Sequence, residues 1–118
     1  MFGRRLPKAV LWDLDGTLID SEPYWMKSER ELAARHDATW TEEDGKALVG
    51  MSLKDSSKII SEKLGIEMPS EQLIKELTDS VASQLSREIP WRPGAQELLR
   101  ELKRKGVKTA LVTMSLRR

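Results

Sequence analysis

Two carboxylates, Asp13 and Asp15, follow a short apolar run in the string Val10-Leu11-Trp12-Asp13-Leu14-Asp15-Gly16-Thr17-Leu18-Ile19-Asp20. Side chains alternate along an extended chain, which would turn both carboxylates toward one cation and one phosphoryl group. Two anions this close repel unless positive charge sits between them. Mg²⁺ answers that need, being a hard ion held by a few carboxylates, waters and phosphate oxygens. A carboxylate can also attack phosphorus and form an aspartyl-phosphate, which splits one difficult displacement into two. That role is expected of Asp13. A second acid two residues on can protonate the leaving oxygen and then deprotonate the water that hydrolyses the intermediate. That role is expected of Asp15, and both aspartates are the expected metal ligands. Gly16 lets the backbone turn close to a phosphate, with the N–H groups of Gly16 and Thr17 facing its oxygens.

The elements that must position these groups read as α/β. Ala9 to Trp12 is a continuous apolar run ended by a polar turn, the pattern of a strand buried on both faces. Val107 to Met114 reads as a second strand. Before it, Pro93-Gly94 opens a helix with Leu98, Leu99 and Leu102 on one face and Gly106 as its C-terminal stop. A helix feeding a strand through one glycine is the second half of a βαβ unit, so the two strands should be parallel. Between them lies a segment with helix-start signals and no strand signal. Glu22 to Arg35 carries helical spacing, and Thr41 with Asp44 and Ser52 with Asp55 resemble capping boxes. Leu53, Ile60 and Leu64 form one stripe before Gly65; Leu73, Leu77, Val81 and Leu85 form another after Ser70. About four short helices therefore form an inserted bundle. Residues 1–20 give the first strand and its loop, 21–88 the helical insertion, and 89–118 the return to the α/β part.

The string DLDGTLIDSEPYW is similar to the first motif of the haloacid dehalogenase-like hydrolase superfamily, in the subgroup with a helical cap inserted after that motif. Phosphoglycolate phosphatase-like and β-phosphoglucomutase-like enzymes form that subgroup. PGAQELLRELKRKGVKTALVT resembles the second motif, with Thr113 in the slot of a strand-end hydroxyl that binds the phosphoryl group. The resemblance implies a Rossmann-like core, here partial with two parallel strands, under a helical cap that closes to exclude water. It implies a Mg²⁺-dependent phosphatase for a small phosphorylated metabolite. Met114 stands where an Asn often follows the Thr, so only its backbone N–H would help hold phosphate. Glu22 and Tyr24, just past the first motif, are candidate cap-hinge contacts to substrate. The stretch Leu48-Val49-Gly50-Met51-Ser52-Leu53-Lys54-Asp55 resembles the substrate-specificity loop of the sugar phosphomutases and makes Gly50 and Ser52 candidates, Ser52 also as a helix cap. Those mutases present a basic residue where this chain has Leu53, which favours a phosphatase over a mutase. Asp15 argues against a dehalogenase, whose pattern lacks a second acid at that slot.

The superfamily's third motif supplies a Lys and its fourth supplies further acids, and neither region is present in these 118 residues. A two-stranded parallel sheet also leaves edges and a face uncovered. The expectation is a fragment or one part of an assembly, inactive or nearly so alone, with an oligomer through the exposed sheet edge as one route to completion. A non-catalytic helical interaction module is the reading from a different class.

Composition narrows the partners. A net charge of +1 gives no global attraction to nucleic acid or an anionic membrane. The apolar run before Asp13 is too short for a signal-peptide core or a membrane span. The chain has no cysteine, which excludes disulfides and thiolate metal sites. Cytoplasm is the expected compartment. Asp13-Leu14-Asp15-Gly16 is not a calcium loop, since an EF-hand places Gly sixth and Glu twelfth. A receiver domain would lack the helical insertion. His36 falls at a polar helix end and is expected on the surface. The basic residues Arg100, Lys103, Arg104, Lys105 and Lys108 read as a solvated face, and Trp25, Trp40 and Trp91 read as packing residues.

Overall fold

The computed structural model describes residues 5–112. In chain order the elements are β1 (Ala9–Trp12), α1 (Glu22–Arg35), α2 (Glu42–Lys46), α3 (Leu53–Leu64), α4 (Ser70–Arg87), α5 (Ala95–Arg104) and β2 (Lys108–Leu111). They separate into two compact units. One holds β1, its following loop, α5 and β2; the other runs from Glu22 to Glu88 and is entirely helical between its turns.

In the first unit β1 and β2 pair in parallel, with Ala9 opposite Lys108, Val10 opposite Thr109, Leu11 opposite Ala110 and Trp12 opposite Leu111. The parallel register requires a crossover, and α5 supplies its last leg. That helix stops because Gly106 takes a left-handed φ of 74°. Its N–H donates to Lys103 O, and the Val107 N–H donates to Leu102 O. This is the paired Schellman arrangement, with Leu102 and Val107 both buried as its apolar contact. Leu18, Ile19 and Ala95 are also buried in this unit.

Two expectations are corrected here. The strands are not buried on both faces: Leu11 is 70% exposed, and every residue of β2 is exposed. An apolar run records what a strand could be packed against, and the described residues offer each strand only one neighbour. On α5 the buried positions are Ala95 and Leu102, while Leu98 is 46% exposed. The helix turns a narrower stripe inward than three leucines suggest. Thr113 and Met114 lie outside the described residues.

In the helical unit the predicted starts and stops appear. Thr41 and Asp44 form a reciprocal capping box, with Thr41 Oγ1 accepting from the Asp44 N–H and Asp44 Oδ2 accepting from the Thr41 N–H. Gly65 ends α3 with φ at 65°. Ile60 and Leu64 of α3, and Leu73 and Leu77 of α4, pack with Met26, Leu32, Ala33, Trp40 and Leu48 into one core. The α1–α4 contact also carries a polar seam. The Ser28 hydroxyl bonds Tyr24 O and Ser80 Oγ, and the Gln84 amide donates to Tyr24 O and Ser28 Oγ. Such directional bonds fix the register of two helices that apolar contact alone would leave free to slide. Among the described residues no helix is long and apolar enough to cross a membrane.

Candidate active site

β1 ends at Trp12, whose carbonyl accepts from the Val112 N–H at 2.6 Å. Beyond it the chain leaves the extended conformation. The N–H groups of Thr17, Leu18 and Ile19 converge on Leu14 O at 3.1–3.3 Å, a single tight helical turn. Gly16, with φ at 79°, admits the left-handed backbone this turn needs and donates its N–H to Ile19 O. The turn is anchored below by Asp20 N–H to Pro90 O and Arg92 N–H to Leu18 O, both 2.8 Å, beside an antiparallel bridge between Ile19 and Trp91.

Both carboxylates follow β1, Asp13 directly after it and Asp15 within the turn. Asp13 is exposed, and its Oδ1 accepts the Leu14 N–H at 2.8 Å. Asp15 is half-buried, and its Oδ1 accepts from the Ser21 hydroxyl. Ser21 is 3% exposed, so its hydroxyl is held in place by packing. The N–H groups of Gly16 and Thr17 bond Ile19 O and Leu14 O within the turn.

The remaining candidates fall in the helical unit. Glu22 is exposed and opens α1, where a negative charge suits the helix dipole. The Tyr24 hydroxyl donates to Glu88 O at 2.9 Å. Gly50 is exposed with φ at 85°. Ser52 is the N-cap of α3, its Oγ accepting the Asp55 N–H at 3.1 Å. Asp13, Asp15, Gly16 and Thr17 thus share one loop, and Glu22, Tyr24, Gly50 and Ser52 belong to the other unit.

The donor set can be tested against a metal. Asp13 and Asp15 offer carboxylate oxygens, and among the described residues no group of three or more His, Cys, Asp or Glu gathers to hold an ion. A tetrahedral zinc site asks for more nitrogen or sulfur donors than this loop has. Two carboxylates suit Mg²⁺, which keeps several waters and takes its other oxygens from substrate.

Sequence reasoning passed over three groups. Ser21 lies inside the motif string, yet nothing in its residue type marks it as buried against Asp15. Trp12 Nε1 is buried with no partner among the described residues. In the helical unit Glu29 is 7% exposed and accepts from Trp40 Nε1 at 3.0 Å. Burial, opposed by that bond and reinforced by the nearby charge of Glu22, pushes its carboxyl up to about 7. The Trp40 indole, whose N–H needs an acceptor once buried, is the one signal that could have pointed to it.

Comparison with known proteins gives the family. The family model for haloacid dehalogenase-like hydrolases matches residues 10–118. A phosphorylated carbohydrates phosphatase from Thermotoga maritima is 29% identical over 111 residues, 94% of this chain and 51% of that protein. Phosphoglycolate phosphatase 1 from Pseudomonas aeruginosa is 31% identical over 121 residues, 95% of this chain and 43% of the relative. The crystal structure of CbbY from Rhodobacter sphaeroides in complex with phosphate superposes with a TM-score of 0.75 at 26% identity, over 92% of this chain and 51% of that one. The chain spans about half the length of these relatives. With two acids on the turn after β1 and a family match that runs from that strand to the last residue, the chain belongs to the haloacid dehalogenase-like hydrolases.

Proposed function

We propose that this chain supplies the nucleophile and the acid/base group of a Mg²⁺-dependent phosphatase for small phosphorylated metabolites. The observation that carries the reading is the pair Asp13 and Asp15 on the turn that closes a parallel strand, one exposed and one steadied by Ser21. In open α/β sheets that end of the strand is where ligands bind. The phosphatase names among the relatives support it.

In this reading an Asp13 carboxylate oxygen attacks phosphorus as the bond from phosphorus to the leaving oxygen breaks. Asp15 gives its proton to that oxygen, so the alcohol departs neutral. Asp15 then takes a proton from water as the water oxygen bonds phosphorus, the bond to Asp13 breaks, and inorganic phosphate leaves. Ser21 keeps Asp15 in one orientation through both steps. Mg²⁺ held by Asp13 and Asp15 would neutralise charge on the transferring group. Thr113 and the Met114 N–H are the proposed phosphoryl contacts. Glu22, Tyr24, Gly50 and Ser52 are the proposed substrate-selecting positions, with Tyr24 and Ser52 acting through the bonds they already make. Leu53, the first residue of α3, gives no cation to grip a second phosphate and favours a phosphatase over a mutase.

The test is phosphate release from an aryl phosphate, with and without Mg²⁺, by a polypeptide in which this chain is joined to the half of the Thermotoga maritima phosphatase that it does not span. Asp13→Asn should abolish turnover, and Asp15→Asn should lower it by about 10²–10⁴-fold. A requirement for a sugar bisphosphate activator would convert the reading to a mutase. Turnover that survives Asp13→Asn would remove it.

A further inference from the structure

Among the described residues Glu29 is the one charged side chain that is buried. Its Oε1 accepts from Trp40 Nε1, the only donor that reaches it among those residues. The backbone of α2 covers the carboxyl on another side. Gly45 is buried there, and a Cβ added to it would collide with the Met26 thioether and stand 3.1 Å from Glu29 Oε1. An ionised carboxylate has about four lone-pair sites to satisfy, and one indole N–H leaves most of them bare.

No neighbouring cation answers that charge. On α1 the nearby charge is Glu22, of the same sign. Lys27 pairs with Glu31, Arg30 is exposed, and Arg35 pairs with Glu76 of α4. Asp79 of α4 pairs with Lys75. On α2, Glu42 pairs with Lys46, Glu43 is exposed, and Asp44 is bonded by Lys63 of α3. Each cation on these elements is committed to another carboxylate or to solvent.

We propose that ionisation of Glu29 lifts α2 and the loop through Met51 away from α1, with Trp40 as the pivot, so that this segment is closed in mild acid and opens in mild base. The negative carboxylate strengthens its bond from Trp40, which is 5% exposed and stays packed. Water must therefore enter on the side that α2 covers. That cover is the easiest to displace, because five residues are too few to hold a helix without tertiary contacts. Leu48, buried in the core, and the Asp44–Lys63 pair hold the segment down while Glu29 is neutral. The turn bonds from Leu48 N–H to Gly45 O and from Val49 N–H to Lys46 O make the loop move with α2. Gly50 lies on that loop, so the movement reaches a substrate-selecting position if the proposed function holds; the movement itself does not depend on that reading.

Burial raises the closed carboxyl to about 7, against 4.5 for the solvated group. The ratio of open to closed segment therefore climbs as pH rises between those values and levels off above them. From pH 5 to pH 8 the climb is roughly 10–100-fold.

Amide hydrogen exchange, divided by the intrinsic rate at each pH, measures the opening in the 118-residue chain and in the fused polypeptide. The expected result is that amides of residues 44–51 lose roughly 10–100-fold of their protection between pH 5 and pH 8, while Leu32, Ile60 and Leu73 remain at least about tenfold better protected throughout. In Glu29→Gln the protection of residues 44–51 should be level across that range, with exposed His36 common to both proteins. A wild-type profile as level as that of the variant overturns the proposal. Exchange of residues 44–51 at the same rate as the three core amides overturns it equally, because the opening is then that of the whole helical unit. The wild-type profile separates these outcomes by itself, whatever the variant's stability, and neither readout involves turnover.

Discussion

Replacing Glu29 with Gln isolates what a buried carboxyl does to the helical unit. Burial raises Glu29 from 4.5 to about 7, so between those values the folded protein keeps a proton that the unfolded chain has released. Stability from this group is complete below about pH 4.5, declines as pH rises toward 7, and is level above. A difference of about 2.5 units corresponds to about 3 kcal/mol, an upper figure because the carboxyl keeps a little solvent contact. Gln has the same shape, and its amide oxygen can still accept from Trp40 Nε1. The variant should match the wild-type chain near pH 4.5 and exceed it by about 1–3 kcal/mol at pH 8. Urea unfolding followed by tryptophan fluorescence across pH 4.5–8 reads the difference, and subtracting one protein from the other cancels the remaining carboxylates. A difference that does not change with pH, or a Gln variant less stable at pH 8 than at pH 4.5 relative to wild type, would refute the reasoning.

Three other outcomes follow from particular contacts. Gly106→Ala forces a side chain into a left-handed conformation at the end of α5 and should cost about 1–2 kcal/mol in the same unfolding assay, although no atom of the described residues stands in its way. Trp12→Phe removes a buried N–H without a described partner, so stability should stay within about 1 kcal/mol of wild type; a loss above about 3 kcal/mol would mean the indole is bonded. Ser21→Ala removes the Ser21 hydroxyl bond to Asp15 Oδ1 and should lower kcat about tenfold at unchanged KM in the fused polypeptide, with Ser21→Thr restoring it.

Much of the fold was legible because local chemistry wrote it. The Thr41–Asp44 capping box, the glycine stops at 65 and 106, and the stripe Leu73, Leu77 and Val81 are satisfied within or between neighbouring helices, where periodicity is a reliable guide. Burial was less legible, because it depends on what lies across from a side chain. The run Ala9–Trp12 has the composition of a strand covered on both faces, yet exposed and half-buried residues alternate along it, while Glu29 has the composition of a surface residue and sits inside beside Trp40. At the site, residue type and spacing singled out Asp13 and Asp15. They could not show that three N–H groups converge on Leu14 O, that Gly16 N–H bonds Ile19 O, or that Ser21 holds Asp15. Those features come from a backbone turn stabilised by non-adjacent bonds, which no two-residue alternation describes.

The central claim is that the phosphoryl group passes through Asp13. Quenching the fused polypeptide during turnover of an aryl phosphate, reducing it with borohydride and mapping its peptides by mass reads this directly, because an acyl phosphate is reduced to the alcohol while free carboxylates are not. Conversion of Asp13 to homoserine, dependent on substrate and Mg²⁺, is the predicted result. Steady phosphate release with Asp13 unmodified, or reduction at another residue, would contradict the account.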